Sequence, residues 1–134
     1  MPARILLVDD RHIARAVIRS LLDSYHFHIC AEAQNGREAV EKVVELKPDV
    51  VLLDINMPVM NGIQAAVEIR RIAPATKIIF VTNHDIPIVV DAMRNVADGF
   101  VSKSSADTQL ISTLRRVVGT SPDGSKKARR AATQ

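Results

Sequence analysis

Residues 49–62 read DVVLLDINMPVMNG and combine a short apolar run, an acid and a turn that contains Pro and Gly. The run from Val50 to Leu53 contains no polar residue, so a strand formed there would be apolar on both faces. Such a strand is typical of a parallel sheet that helices cover on both sides. A helical pattern then occupies residues 61–73. The segment therefore predicts a buried strand, a loop and a helix, with Asp54 at the carboxyl end of the strand.

The same alternation of apolar runs and helical patterns extends along most of the chain. Strands are predicted at residues 5–8, 27–31, 50–53, 78–81 and 99–101. The first helix has an apolar stripe formed by Ile13, Ala14, Val17, Ile18, Leu21 and Leu22. Further helices are predicted at residues 36–46, 61–73, 85–96 and 106–118, the third of these capped by Asp85. The order (βα)5 predicts an α/β fold, a doubly wound parallel sheet of five strands in the flavodoxin-like order 2-1-3-4-5.

Charge and composition divide the chain at about residue 118. Residues 1–118 hold 14 Lys and Arg against 14 Asp and Glu, whereas Lys126, Lys127, Arg129 and Arg130, set against Asp123, account for the net charge of +3. We predict one folded domain over residues 1–118 and a polar, basic, disordered tail over residues 119–134. A neutral domain with 3% aromatic residues argues against direct nucleic-acid binding. No apolar run is long enough to span a membrane, and we expect a cytoplasmic protein.

Chemically active side chains follow the predicted strands. Asp9 and Asp10 follow the first strand, and Asp54 follows the third, its neighbour in the predicted order. In open α/β sheets, ligands bind beyond the carboxyl ends of the strands, at the point where the strand order reverses. Three carboxylates at that point would repel one another without a cation, and hard oxygen ligands favour Mg²⁺. Thr82 ends the fourth strand, and Lys103 follows the fifth. Together with the acids they form a set suited to phosphoryl transfer onto an Asp.

Each member of this set also has an ordinary structural interpretation. Asp10 could cap the first helix, Thr82 could be a turn residue, and Lys103 could be a solvated surface charge. Those alternatives stay open residue by residue. The coincidence of acids, a hydroxyl and a lysine at the carboxyl ends of different strands favours a joint functional site.

At this point the motifs ILLVDD, LLDINMPVMNG, FVTN and GFVSKSS resemble, in order and spacing, those of response regulator receiver domains. The resemblance covers roughly residues 4–118 and implies roles for single residues. It implies that Asp54 is the phospho-acceptor and that Asp10 binds Mg²⁺ directly. It also implies that Asp9 acts largely through water and that Asn56 offers its backbone carbonyl to the metal. The other implied positions are Thr82 and Lys103 at the phosphoryl oxygens, Met57, Pro58 and Gly62 in the loop after the acceptor, and Phe100 as the switch residue.

The resemblance also implies how such a domain works. A sensor histidine kinase or a phosphotransfer protein would donate the phosphoryl group, and a downstream effector or output domain would receive the signal. The chain would be a switch that promotes its own phosphorylation and dephosphorylation, not an enzyme in the ordinary sense. Phosphorylation is expected to allow homodimer formation. The motifs are most similar to the nitrate-regulator-type subfamily, whose receivers are joined to helix-turn-helix domains, although the polar tail favours a stand-alone regulator.

A rival interpretation is an aspartyl-phosphate hydrolase of the haloacid dehalogenase type. That chemistry also begins with a nucleophilic Asp after a strand, but it needs a second Asp two residues later as general acid and base. Asn56 occupies that position here. The residue pattern therefore disfavours the hydrolase.

Overall fold

The computed structural model describes residues 2–83 and 87–119 and contains a single parallel sheet within them. Its strands are β1 (Arg4–Val8), β2 (His28–Ala33), β3 (Val50–Leu53), β4 (Lys77–Thr82) and β5 (Gly99–Ser102). They lie in the order β2-β1-β3-β4-β5. The predicted fold class and strand order are therefore confirmed.

A helix follows each strand within the described residues. The helices are α1 (His12–Ser24), α2 (Gly36–Leu46), α3 (Gly62–Ile72), α4 (Pro87–Ala92) and α5 (Ala106–Val118). A single 3₁₀ turn, Lys103–Ser105, connects β5 to α5. None of the helices described is long and apolar enough to cross a membrane.

The sheet separates two apolar layers, which explains why its strands are apolar on both faces. One layer packs α1 and α5 on the sheet, and its buried members include Ile5, Leu7, Leu52, Ile18, Leu22, Leu110 and Leu114. The other packs α2 and α3 on the opposite face, and its buried members include Leu6, Val8, Leu53, Phe80, Ala39, Val43, Ala65 and Ile69. All four residues of β3 are completely buried between the two layers. The residue after it is thereby held at a fixed position on the sheet edge.

The predicted bounds of strand 2 and helix 4 need correction. Strand 2 begins and ends later than residues 27–31, because Phe27 donates its amide proton to Leu22 and still belongs to the end of α1. Helix 4 ends at Ala92, four residues before the predicted end. Residues 93–96 form turns, where the amide of Val96 bonds to Met93 three residues earlier. The predicted cap Asp85 lies outside the described residues.

The apolar stripe of α1 is also only partly buried. Ile18 is buried and Leu22 completely so, whereas Ile13 and Val17 are 76% and 62% exposed. A helix that packs on one side of a sheet cannot bury a stripe of this width. Ile13 and Val17 lie four residues apart and thus form an exposed aliphatic face on α1.

Candidate functional site

Asp9 and Asp54 extend two neighbouring strands by one residue each. The amide of Asp9 donates to the carbonyl of Ala33 at 3.1 Å, and the amide of Asp54 donates to the carbonyl of Val8 at 3.0 Å. Both residues are buried, at 4% and 5% exposure. The parallel pairing of β1 with β3 therefore brings two carboxylates together at the sheet edge, as the sequence predicts.

Asp10 completes a cluster of three acids. One carboxylate oxygen from each of Asp9, Asp10 and Asp54 lies within 4.8 Å of the other two. Opposite ligands of an octahedral Mg²⁺ ion are about 4.2 Å apart, so a small movement would let all three oxygens bind one ion. Because Asp10 is exposed while its two neighbours are buried, the cluster opens to solvent on one side. Its chemistry and spacing fit Mg²⁺.

Lys103 follows β5, an edge strand of the sheet, and contacts the acidic cluster from there. Its ammonium Nζ lies 2.5 Å from Asp9 Oδ2 and 3.2 Å from Asp54 Oδ2, and its side chain is only 14% exposed. Lys103 is the first residue of the 3₁₀ turn that follows β5. The alternative of a solvated surface lysine is therefore wrong. One ammonium among three carboxylates leaves two negative charges, which a divalent cation would balance.

The ionisation of Asp54 reflects this setting. Burial raises the pKa of Asp54, the charge of Asp9 raises it further, and the charge and hydrogen bond of Lys103 lower it without cancelling the rise. The other carboxylate oxygen, Oδ1, accepts a hydrogen bond of 2.8 Å from the amide of Ile55. Asp54 is thus a carboxylate that is fixed in position and poorly hydrated.

Thr82 and Phe100 lie on the two strands beyond β3. Thr82 is buried at the end of β4 and pairs with Ser102 of β5. Phe100 pairs with Phe80 across the same strands, and the two rings stack with centroids 5.6 Å apart. Thr82, the hydroxyl predicted for the site, and Phe100, the predicted switch residue, therefore lie close together on the adjacent strands β4 and β5.

The loop after Asp54 is tightly folded. Met60 donates its amide proton to Pro58 at 2.7 Å, and Val59 between them has a φ of +70°. This combination describes a classic γ-turn, which is rare and strained for a β-branched residue. A Cβ on Gly62 would lie 1.9 Å from the carbonyl oxygen of Asp54, so only glycine fits there. Asn56 lies in this loop with its side chain exposed.

Two findings at α1 were not anticipated from the sequence. The helix is capped by Arg11 in an extended conformation, so the alternative in which Asp10 caps it is wrong. Arg15 donates from Nη1 to the carbonyl of Asp9 at 2.6 Å and from Nε to Glu32 at 2.8 Å. A hydrogen bond from a side chain to a backbone carbonyl has no sequence signature, so the sequence does not reveal this contact.

Comparison with known proteins gives a consistent picture. A family model described as the response regulator receiver domain matches residues 5–115. The chemotaxis protein CheY of Thermotoga maritima is 39% identical over 118 residues, which cover 87% of this chain and 98% of that protein. A solved two-component response regulator of the LuxR family, from Aurantimonas sp. SI85-9A1, has a TM-score of 0.81 at 32% identity and covers 88% of this chain and 86% of its own.

A further solved structure contains the ligands expected of such a site. It is a CheX-CheY-BeF3-Mg+2 complex from Borrelia burgdorferi, with a TM-score of 0.82 at 26% identity. The likeness covers 87% of this chain and 89% of that one.

Proposed function

The chain belongs to the response regulator receiver family, and from this premise we propose that Asp54 accepts a phosphoryl group in a Mg²⁺-dependent reaction. The observation that carries the proposal is a buried carboxylate placed between a lysine ammonium and two further acids. Receivers act in two-component signalling as switches. The chain's own contribution would be to expose one nucleophilic oxygen, Oδ2, to a phosphoryl donor.

The residues around Asp54 have separate proposed tasks. Asp9, Asp10, Asp54 and the backbone carbonyl of Asn56 would hold Mg²⁺, which when bound supplies positive charge against the phosphoryl oxygens. Asp54 Oδ2 forms the new P–O bond while the bond from phosphorus to the donor breaks. Lys103 then exchanges its contact with Asp54 for one with a phosphoryl oxygen, and Thr82 donates its hydroxyl proton to another.

A labelling experiment tests the acceptor. Purified chain with Mg²⁺ and radiolabelled acetyl phosphate should gain label, and Asp54→Asn should abolish it. EDTA should also abolish labelling of the wild type, because the metal offsets repulsion between the donor and the acids. Asp107→Asn, at an exposed acid in the first turn of α5, is the matched control and should label normally. Equal labelling of wild type and Asp54→Asn would remove Asp54 from its role.

A protein donor is favoured over a small molecule by the exposed face of α1. Ile13 and Val17 present aliphatic side chains on the helix that follows Asp9 and Asp10. Such side chains suit a histidine kinase or phosphotransfer protein that must bring a phosphohistidine to Asp54. A cytoplasmic location, an effector or output domain as the receiver of the signal, and homodimer formation on phosphorylation complete the proposal.

Thr82, Lys103 and Phe100 are proposed to carry the signal away from Asp54. A phosphoryl group adds about −1.5 to −2 charges and three acceptor oxygens, which would draw Thr82 and Lys103 inward and let Phe100 repack. This shifts two existing populations of β5 and α5.

NMR spectra with and without beryllofluoride test this route. Wild type should show shifts at residues 99–115 as well as at the acids. Thr82→Ala and Lys103→Ala should keep much of their labelling but lose those distant shifts. Wild-type shifts confined to the acids would contradict the route.

A further inference from the structure

We propose that Arg15 is a positioning residue, which holds the peptide between Asp9 and Asp10 so that the Asp10 carboxylate faces the metal cluster. The inference rests on the proposed function, since it assigns a task within the same Mg²⁺ site. The contacts of the Arg15 side chain are with Glu32 and with the backbone of Asp9, and not with the carboxylates of the proposed metal ligands.

The contacts of Arg15 explain why its position is fixed. Its side chain is 14% exposed, although arginine is usually found in water. Nη1 donates to the carbonyl oxygen of Asp9 at 2.6 Å, while Nε donates to Glu32 Oε1 at 2.8 Å. The planar guanidinium therefore joins helix α1, strand β2 and the end of β1 in one rigid contact.

Glu32 is in turn held by a second arginine. Its Oε2 accepts a hydrogen bond of 2.6 Å from Arg19 Nε, one helical turn after Arg15. Partial burial raises the pKa of Glu32, but the hydrogen bonds and charges of Arg19 and Arg15 outweigh that effect and lower it overall. Glu32 thus stays ionised at neutral pH and keeps Arg15 in place.

Asp10 is the metal-cluster residue that depends on this support. Asp9 is held at its side chain by the amide of Arg11 at 2.9 Å and by Lys103. Asp54 is held by Ile55 and Lys103. Among the side-chain contacts within residues 2–83 and 87–119, none involves the exposed carboxylate of Asp10. Its direction therefore follows from the backbone, and Arg15 holds the carbonyl on the N-terminal side of that residue.

Calorimetric titration of the full chain with Mg²⁺ tests the inference. Arg15→Met should weaken Mg²⁺ affinity by about tenfold, the usual scale for residues that orient a metal ligand. Arg19→Met is the matched control, because it removes the other partner of Glu32 and leaves the bond to Asp9, so its affinity should stay near wild type. Arg15→Lys can reach one partner but not both, and its affinity should lie between the two.

Two further readouts separate positioning from general damage. In the presence of EDTA, the backbone amide signals of Asp10 and Arg11 should shift in Arg15→Met but not in Arg19→Met. With acetyl phosphate, Arg15→Met should need more Mg²⁺ for half-maximal labelling yet reach the wild-type rate at saturating Mg²⁺. Arg15→Lys keeps the test available if Arg15→Met does not fold.

The outcomes distinguish the two levels of the proposal. Wild-type Mg²⁺ affinity in folded Arg15→Met, or an equal loss in Arg15→Met and Arg19→Met, would overturn the role of Arg15 alone. Failure of the wild type to bind Mg²⁺ would overturn the proposed function and the role of Arg15 with it.

Discussion

Asp54 is a carboxylate that the fold keeps from water. Its burial raises its pKa, so the folded chain holds a proton on Asp54 more tightly than the unfolded chain does. As the pH rises from the usual carboxyl range through the raised folded value, ionisation therefore lowers the free energy of unfolding. The loss is complete only above the raised folded pKa. The buried carboxylate of the proposed site is thus maintained at the expense of stability.

The variant Asp54→Asn should reveal this loss. In EDTA at neutral pH we expect its free energy of unfolding to exceed that of wild type by on the order of 1 kcal/mol. The asparagine can still accept the hydrogen bond from Ile55, and Lys103 keeps its contact with Asp9. The two stabilities should approach each other as the pH falls below the usual carboxyl range, where Asp54 becomes protonated in both states. A wild type that is more stable than Asp54→Asn at neutral pH would contradict this account.

Single residues differ in how well the sequence reveals them. The sequence places five site residues at the same end of the sheet, because each lies where an apolar run ends. They are Asp9, Asp10, Asp54, Thr82 and Lys103. The contacts of Lys103 with both Asp9 and Asp54 could not be predicted, because they depend on the 3₁₀ turn after β5. The strained backbone of Val59 also has no signature, because nothing in its residue type favours a positive φ.

At the scale of elements, the sequence predicts centres better than ends. Helices α2 and α5 begin and end where their patterns predict. The ends of β2 and α4 differ because individual hydrogen bonds at those ends, not the residue pattern, decide them. Arg70 of α3 donates from both Nε and Nη2 to the carbonyl of Val96, the last residue of the predicted fourth helix.

Arg70 in fact fastens three elements together. Besides Val96, it donates to Asp98 at 2.8 Å, and the same Asp98 oxygen accepts the amide proton of Ile78 on β4. It also reaches the carbonyls of Pro74 and Thr76 at the turn after α3. The start of β5 is thereby fixed to α3 and β4. The part of β5 that contains Phe100 therefore begins at a residue that is held firmly in place.

Removal of Arg70 should be costly. Arg70→Met would leave several partly buried acceptors without a donor, and we expect a loss of about 2–4 kcal/mol in the free energy of unfolding. Arg71→Met is the matched control, because Arg71 pairs only with the exposed Glu68 on its own helix, and its midpoint should stay close to wild type. Urea denaturation of both variants gives the comparison. Equal midpoints for the two variants would show that the Arg70 contacts do not stabilise the fold.

At the scale of the whole molecule, the neutral domain and the basic tail are proposed to be independent. Residues 120–134 lie outside the described part of the chain, so the predicted tail remains a proposal. Deletion of residues 121–134 should leave the melting temperature and the labelling of Asp54 unchanged, because the segment has no periodic apolar face to bury. Scanning calorimetry of the full and shortened chains provides the measurement. A fall of many degrees would show that the tail packs against the domain.

The ammonium of Lys103 already offsets part of the negative charge that a metal ion would meet at the acids. Its Nζ contacts both Asp9 and Asp54, so a Mg²⁺ ion held by these acids would weaken the attraction that keeps Lys103 in this position. Because Lys103 begins the turn that leads directly into α5, its displacement would act on that helix before any phosphoryl group arrives. By thermodynamic reciprocity, a partner that prefers the displaced position of α5 would tighten Mg²⁺ binding. The magnesium concentration would then be a second input, which sets how readily the domain can respond.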